Sequence, residues 1–215
     1  GYATAGMRLV DAENAAALYD DCFAVLSGGA FTVDRRDLRT ISGEAEAFYA
    51  GVAANYAMGT INADRKFQER QTFDLVFGAL DLGGASTQVA LPVRSNRRAP
   101  TAPLEAVDFE ARTFLGYGIE RVAAKYDAFL NDVDARLGKA MNIDDPCAPA
   151  GFGRDLPPPS PSSSRRAAAA GSGAPERCAL ALADALGFGD CYRERLKRRS
   201  DVTKTRLRRY TLQTC

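Results

Sequence analysis

The spacing of apolar residues predicts helices and strands that alternate along the chain. Apolar side chains recur every three or four positions in three segments, which predicts helices over 11–26, 44–58 and 117–130. Shorter apolar runs predict strands over 37–41, 73–91 and 107–115, and the middle run is a hairpin with its turn at 81–88. This order of elements indicates a mixed α/β protein.

The last third of the chain has a different composition. Residues 153–175 include three consecutive prolines and four consecutive alanines, which predicts a disordered insertion. Residues 192–210 hold nine Lys and Arg against two acidic residues, without aromatic residues among the charges that could stack on bases. A solvated basic insertion is therefore favoured over a polyanion-binding segment, and no nucleic-acid partner is expected.

The overall composition excludes several classes of protein. The chain has 215 residues, of which 46% are hydrophobic, so it can bury the core of one or two domains. Its 28 Lys and Arg balance 27 Asp and Glu, and no apolar stretch approaches the about 18 residues of a transmembrane helix. Because the chain has no His, Ser-His-Asp and Cys-His catalysis are excluded. Acid–base chemistry is left to Asp, Glu, Lys, Tyr or a metal-bound water.

The chain has five cysteines, and none has the C-x-x-C spacing that would indicate zinc. Four of them lie in the last third, which favours disulfide bonds in an oxidising compartment. Small buried thiols are the alternative.

The segment Asp81 to Gln88 carries the densest polar chemistry. It reads Asp-Leu-Gly-Gly-Ala-Ser-Thr-Gln and lies between two apolar runs. Glycines let the backbone turn sharply and bring its N–H groups close to an oxyanion. The segment therefore predicts a phosphate-binding turn, while a plain hairpin turn is the alternative for Gly83 and Gly84.

Three motifs follow one another along the chain. They are Ala-Thr-Ala-Gly-Met-Arg-Leu at 3–9, a segment at 41–56 that begins Ile-Ser-Gly-Glu-Ala-Glu, and Gly-Ala-Leu followed by the turn at 78–88. Together they resemble the second, third and fourth conserved regions of the apyrase, or nucleoside triphosphate diphosphohydrolase, family. The turn alone also resembles the phosphate hairpin of exopolyphosphatases, but Gln88 and the first motif distinguish this chain from them.

The resemblance implies an actin- and Hsp70-like fold with two RNase H-like lobes and the nucleotide phosphates in the cleft between them. Residues 1–42 would complete the first lobe, and residues 43–215 would form most of the second. The family's first and fifth conserved regions do not occur in the sequence. A partial chain of a larger enzyme is therefore expected, and the missing termini leave room for a membrane anchor.

The resemblance also implies catalytic roles. Glu46 matches the general base that accepts a proton from the attacking water, and Ser86 and Gln88 match residues that position this water. Glu44 is the rival carboxylate, but the family's Glu lies three residues after the Gly, which selects Glu46. A helix-capping role is the alternative for a Glu in the first helical turn.

Phosphate and metal binding are implied for a second group of residues. Asp81 matches the carboxylate that holds a hydrated Mg²⁺ or Ca²⁺ through water, and the Thr4 hydroxyl faces the same metal. Arg8 belongs to the first motif, where it serves either the site or the packing of the lobe. The expected phosphate-binding residues are Thr4, Gly83, Gly84, Ala85 and Ser86.

Two positions depart from the family pattern. Ala47 stands where the family usually has Gly, and Gly51 stands where it usually has Trp or Phe. We therefore expect the helix that carries Glu46 to have lost a large anchoring ring.

The cysteines match a family pattern as well. Cys147 and Cys178 resemble two cysteines that pair in extracytoplasmic members, so we expect this disulfide. A second bridge would join Cys191 to Cys215 and leave Cys22 free. The implied location is extracytoplasmic, either the Golgi lumen or the cell exterior in a secreted or membrane-anchored form.

The function implied by the resemblance is metal-dependent hydrolysis of the terminal phosphate of nucleoside di- and triphosphates by an activated water. The alternatives are a catalytically inactive nucleotide-binding homologue or fragment and an exopolyphosphatase-like hydrolase. The expected partner is the nucleotide substrate, and the sequence does not indicate an oligomeric state.

Overall fold

The computed structural model describes residues 1–30, 32–69, 72–93, 102–137, 142–158, 160 and 167–194. The helices are α1 (Ala5–Arg8), α2 (Ala12–Ser27), α3 (Gly43–Ala57), α4 (Ile119–Leu137) and α5 (Pro175–Ala185). The strands are β1 (Tyr2–Ala3), β2 (Arg39–Thr40), β3 (Ala79–Leu82), β4 (Ser86–Pro92), β5 (Phe109–Leu115), β6 (Asn142–Asp145), β7 (Gly153–Asp155) and β8 (Ala168–Gly171). The predicted α/β class is confirmed.

The chain divides into two compact units, Gly1–Arg121 and Val122–Cys215. The first contains the parallel pair β1–β2 and an antiparallel sheet in the order β3-β4-β5. The second contains a sheet in the order β6-β8-β7. The lobe boundary expected between residues 42 and 43 falls inside the first unit, so the lobe assignment stays a prediction.

Helix α3 packs on one face of the β3-β4-β5 sheet. A row of three alanines, Ala79, Ala90 and Ala111, crosses this face at paired positions. Their small side chains let the helix approach closely, and Phe48 and Phe109 close the core beside them. The helix begins where the Ser42 hydroxyl accepts the N–H of Ala45 at 3.1 Å, which is a standard N-cap.

A ring from the sheet lies beside Gly51, the position where α3 was expected to have lost a large side chain. Gly51 is buried, and a Cβ built there would lie 3.0 Å from Cε1 of Phe109. The Phe109 ring therefore occupies the space beside Gly51. Asn55 adds a polar anchor, since its amide donates to the Phe77 carbonyl and accepts the Phe77 N–H, each at 2.9 Å.

In the second unit, the Cys147–Cys178 disulfide joins the turn after β6 to α5, as predicted. Cys22 is free and exposed, also as predicted. The predicted Cys191–Cys215 bridge involves a residue outside the described ranges. No described helix is long and apolar enough to cross a membrane.

The prediction of disorder over 153–175 is wrong at both ends of that segment, because β7 and β8 form there. The alanine run pairs with both neighbouring strands, and alternate alanines, Ala167 and Ala169, are buried in the core. Residues 159 and 161–166 of this segment, and 195–210 of the basic insertion, lie outside the described part. Phe73–Leu75 forms a 3-10 turn instead of the predicted strand.

Candidate active site

The predicted site residues Asp81, Ser86 and Gln88 lie on one face of the β3-β4-β5 sheet. Asp81 pairs with Gln88, and Gln88 pairs with Thr113. Opposed residues share a face, and so do residues two apart on one strand, so Ser86 lies on this face too. Along each strand the polar row of Asp81, Gln88 and Thr113 is two positions from the alanines under α3, so both rows share one face. Thr113 lies against Gly43, which places the polar row beside the first turn of α3.

Ser86 and Gln88 form the buried centre of these polar residues, each 1% exposed. The Gln88 side-chain amide donates from Nε2 to Ser86 Oγ and, at 3.1 Å, to Thr113 Oγ1. Its carbonyl Oε1 is buried without a hydrogen-bond partner among the described residues. An unsatisfied buried acceptor costs about 1–3 kcal/mol, and such atoms occur in native proteins mainly at functional sites or where a bound water completes the hydrogen bonding.

Arg8 joins Glu46 to this centre. Its Nη2 donates to Glu46 Oε2 at 2.8 Å and to Ser86 Oγ at 3.2 Å, while Nη1 donates to the Ile41 carbonyl at 2.9 Å. The Arg8 and Glu46 side chains are 16% and 15% exposed, so this ion pair is shielded from most of the solvent. One guanidinium thus connects α1, the start of α3 and β4.

Glu46 and the alternative base, Glu44, differ in burial and in ion pairing. Glu44 is exposed, whereas Glu46 is partly buried and paired with Arg8. Thr4 is linked to the same group through the backbone, because its carbonyl accepts the Arg8 N–H at 3.2 Å. The Thr4 side chain does not cap α1.

The turn between β3 and β4 is held by the first residues of α4. The N–H groups of Ile119 and Glu120 donate to the carbonyls of Gly83 and Gly84 at 2.9 and 3.0 Å. A Cβ on Gly118 would lie 2.4 Å from Ala85 N, so only glycine allows this approach. The turn is therefore anchored from outside the hairpin.

The donors of this turn differ in availability. The Gly83 N–H donates to the Ser86 carbonyl at 3.0 Å, within the hairpin. The N–H groups of Gly84 and Ala85 make no hydrogen bond within the described part of the chain. Thr87 points to the other face of the sheet, where its hydroxyl donates to the Tyr117 carbonyl at 2.6 Å.

Thr113 is the site residue that sequence reasoning missed. It accepts from Gln88, and it also packs under the start of α3, where a Cβ on Gly43 would lie 2.2 Å from its Oγ1. The alternation of β5 could place residue 113 on the inner face. Its pairing with Gln88 depends on strand register, which no local pattern supplies.

The polar row offers few ligands for a metal ion. Among the described residues there is no group of three or more His, Cys, Asp and Glu that could hold a metal. Asp81 brings one half-buried carboxylate to the polar row. A single carboxylate suits a hard cation that keeps most of its water, such as Mg²⁺, better than a closed protein cage.

A shielded carboxylate beside a hydroxyl can orient water, and an amide carbonyl and turn N–H groups without partners among the described residues can receive a water or an oxyanion. Phosphate chemistry needs groups of these kinds. The chain belongs to the GDA1/CD39 (nucleoside phosphatase) family, whose model matches residues 2–195.

Curated relatives support this assignment. The Golgi apyrase of Saccharomyces cerevisiae is 27% identical over 179 residues, covering 72% of this chain and 28% of its own length. Ectonucleoside triphosphate diphosphohydrolase 1 of Rattus norvegicus is 30% identical over 162 residues, covering 70% and 31%. A solved nucleoside triphosphate hydrolase from Neospora caninum is similar over 72% of this chain and 30% of its own, with 20% identity and a TM-score of 0.48. The chain thus spans about 30% of the length of these relatives.

Proposed function

We propose that this chain forms one wall of the active site of a nucleoside phosphohydrolase that cleaves the terminal phosphate of nucleoside di- and triphosphates. The observation that carries the proposal is the group of partly buried Glu46 with buried Ser86 and Gln88, in which one acceptor, Gln88 Oε1, has no partner among the described residues. Family membership supports the same chemistry.

In the proposed reaction a water molecule attacks the terminal phosphorus. Glu46 takes one proton of this water, and Gln88 Oε1 accepts a hydrogen bond from the other. Ser86 Oγ already accepts from Arg8 and Gln88, so its own proton is left to donate to the water. One lone pair of the water is then directed at phosphorus. A new P–O bond forms while the bridging P–O bond breaks, without a covalent enzyme intermediate.

The phosphate oxygens would be held by the turn. The N–H groups of Gly84 and Ala85 supply two donors that form no hydrogen bond within the described ranges. Asp81, with Thr4 as second candidate, would hold a divalent cation, Mg²⁺ or Ca²⁺, largely through water. When bound, such a cation neutralises charge on the phosphates.

The wider setting belongs to the same proposal. Residues 1–42 would end one RNase H-like lobe and residues 43–215 would form most of a second, with the nucleotide between them. The Cys147–Cys178 disulfide supports an extracytoplasmic location, because such bonds persist in oxidising compartments. Relatives named Golgi apyrase and ectonucleoside triphosphate diphosphohydrolase fit a lumenal or extracellular site.

Phosphate release by the full-length gene product from ATP, ADP, GDP and UDP, with Mg²⁺ or Ca²⁺, tests the proposal. Glu46→Gln keeps the size of the side chain and removes the base, so we expect a loss of kcat of about 100-fold or more. Glu44→Gln, in the same helical turn but exposed, is the matched control and should retain full activity.

Two results would favour the alternatives. If the wild type binds nucleotide but releases no phosphate, and Glu46→Gln behaves identically, the protein is a silent nucleotide-binding homologue. If it degrades polyphosphate chains in preference to every nucleotide, it is an exopolyphosphatase-like hydrolase.

A further inference from the structure

We propose that Arg8 is a positioning residue for the phosphohydrolase reaction. It fixes the Glu46 and Ser86 side chains relative to each other and directs the Ser86 hydroxyl proton toward the attacking water. This inference rests on the proposed function and adds to it a residue that bonds the catalytic groups without contacting the substrate.

The first argument is geometric. Arg8 donates to three acceptors on three separate segments, namely the Ile41 carbonyl, Glu46 Oε2 and Ser86 Oγ, at 2.9, 2.8 and 3.2 Å. Ile41 directly precedes Ser42, the N-cap of α3. The same guanidinium therefore binds the entry to α3, the first turn of α3 and the start of β4. Displacing any of these would move Glu46 relative to Ser86.

The second argument concerns the direction of one proton. A hydroxyl oxygen accepts through two lone pairs and donates one hydrogen. At Ser86 both lone pairs are engaged, one by Arg8 Nη2 and one by Gln88 Nε2. The hydrogen must then point away from both donors. Without Arg8 the hydroxyl regains a free lone pair and can rotate, so it no longer presents a fixed donor.

The third argument is the choice of side chain. Arg presents several N–H donors in a rigid planar fork, whereas Lys is a flexible point charge. Two nitrogens of Arg8 serve acceptors on different elements at once. A Lys at this position could pair with Glu46 but could not hold the Ile41 carbonyl and Ser86 in the same geometry.

The test compares Arg8→Met, Arg8→Lys and Arg8→Ala in the full-length gene product. Turnover and nucleotide affinity are measured separately, and kcat is normalised to the fraction of protein that binds a non-hydrolysable nucleotide. Arg36→Met is the matched control, because Arg36 is an 88% exposed arginine whose ion pair is with Asp34, two residues away in sequence. We expect Arg36→Met to match the wild type.

For Arg8→Met we expect kcat to fall about 100-fold while nucleotide affinity changes by less than about threefold, because the lost geometry matters in the transition state. Arg8→Lys should lie between Arg8→Met and the wild type. Free guanidinium should raise the kcat of Arg8→Ala by about tenfold, since it can reoccupy the vacated position. Because kcat is normalised to the protein that binds nucleotide, a gain in folded protein alone would not produce this increase.

The double variant Arg8→Met with Ser86→Ala separates positioning from other effects. If Arg8 acts through Ser86 and Glu46, the double variant should lose much less than the product of the two single losses. Full multiplicativity, or an Arg8→Met kcat equal to wild type after normalisation, would overturn the proposal.

A different measurement tests the proposed function itself, separately from the role of Arg8. If Glu46→Gln keeps the wild-type kcat, the reaction assigned to this site is wrong. If Glu46→Gln is inactive while Arg8→Met is fully active, the reaction stands and only the positioning role of Arg8 is refuted.

Discussion

Replacing Gly118 by Ala tests whether the start of α4 fixes the glycine turn of the site. A Cβ at this position would lie 2.4 Å from Ala85 N and from the Gly84 carbonyl, where ordinary contact begins at 3.4 Å. The two backbones must therefore separate by about 1 Å. That movement stretches the hydrogen bonds from Ile119 and Glu120, now 2.9 and 3.0 Å, beyond bonding distance.

The expected cost follows from these contacts. Overpacking and the loss of two backbone hydrogen bonds together amount to about 2–4 kcal/mol. For a protein of this size the melting temperature should fall by about 5–15 °C. A shift of about 1 Å in groups that hold the phosphate should also lower kcat/KM by about 100-fold.

Thermal unfolding and phosphate release would be measured on Gly118→Ala beside Gly153→Ala. The second variant is the control, because a Cβ on Gly153 meets nothing within 4 Å. Gly153→Ala should be close to wild type in both measurements. A Gly118→Ala protein with unchanged melting temperature and full activity would show that α4 does not fix the turn.

Two further predictions concern the stability of each unit. Phe109→Ala should lower the free energy of unfolding by about 3–5 kcal/mol in urea, since the ring packs against Gly51, whereas the 53% exposed Phe152→Ala should cost less than about 0.5 kcal/mol. Burial and the bond to Asp145 raise the pKa of Tyr126 above its usual value of 10.0. Folded protein thus holds this proton more tightly than the unfolded chain, so the free energy of unfolding should fall as pH rises above about 10. Tyr126→Phe should reduce this fall, and an unchanged pH slope would contradict the prediction.

The parts of the fold that could be predicted are those specified by local pattern. Helix α3 and the turn at 81–88 are confirmed because each is encoded within a short window, by periodic apolar residues and by glycines between apolar runs. The Cys147–Cys178 pair, predicted from the family resemblance, is confirmed by the structure.

The contacts that complete the site could not be predicted in this way. Arg8 and Glu46 are 38 residues apart on two different helices, so their contact depends on how those helices pack. Thr113 meets Gln88 across 25 residues, and that contact depends on the register of the sheet. The disorder predicted at 153–175 is wrong where β7 and β8 form, because composition alone does not show that alanines can pair between two strands and enter a core.

The alanine row beneath α3 has a consequence for how this protein tolerates substitution. Ala90 is fully buried, with Ala79 and Ala111 packed around the same core. Any larger residue there would lift the helix that carries Glu46, although none of these three residues has a polar side-chain atom. In a library of variants selected for activity, we expect the row to admit only the smallest side chains. The small volume of these three methyl groups therefore helps to set the distance between the Glu46 carboxylate and the Ser86 hydroxyl.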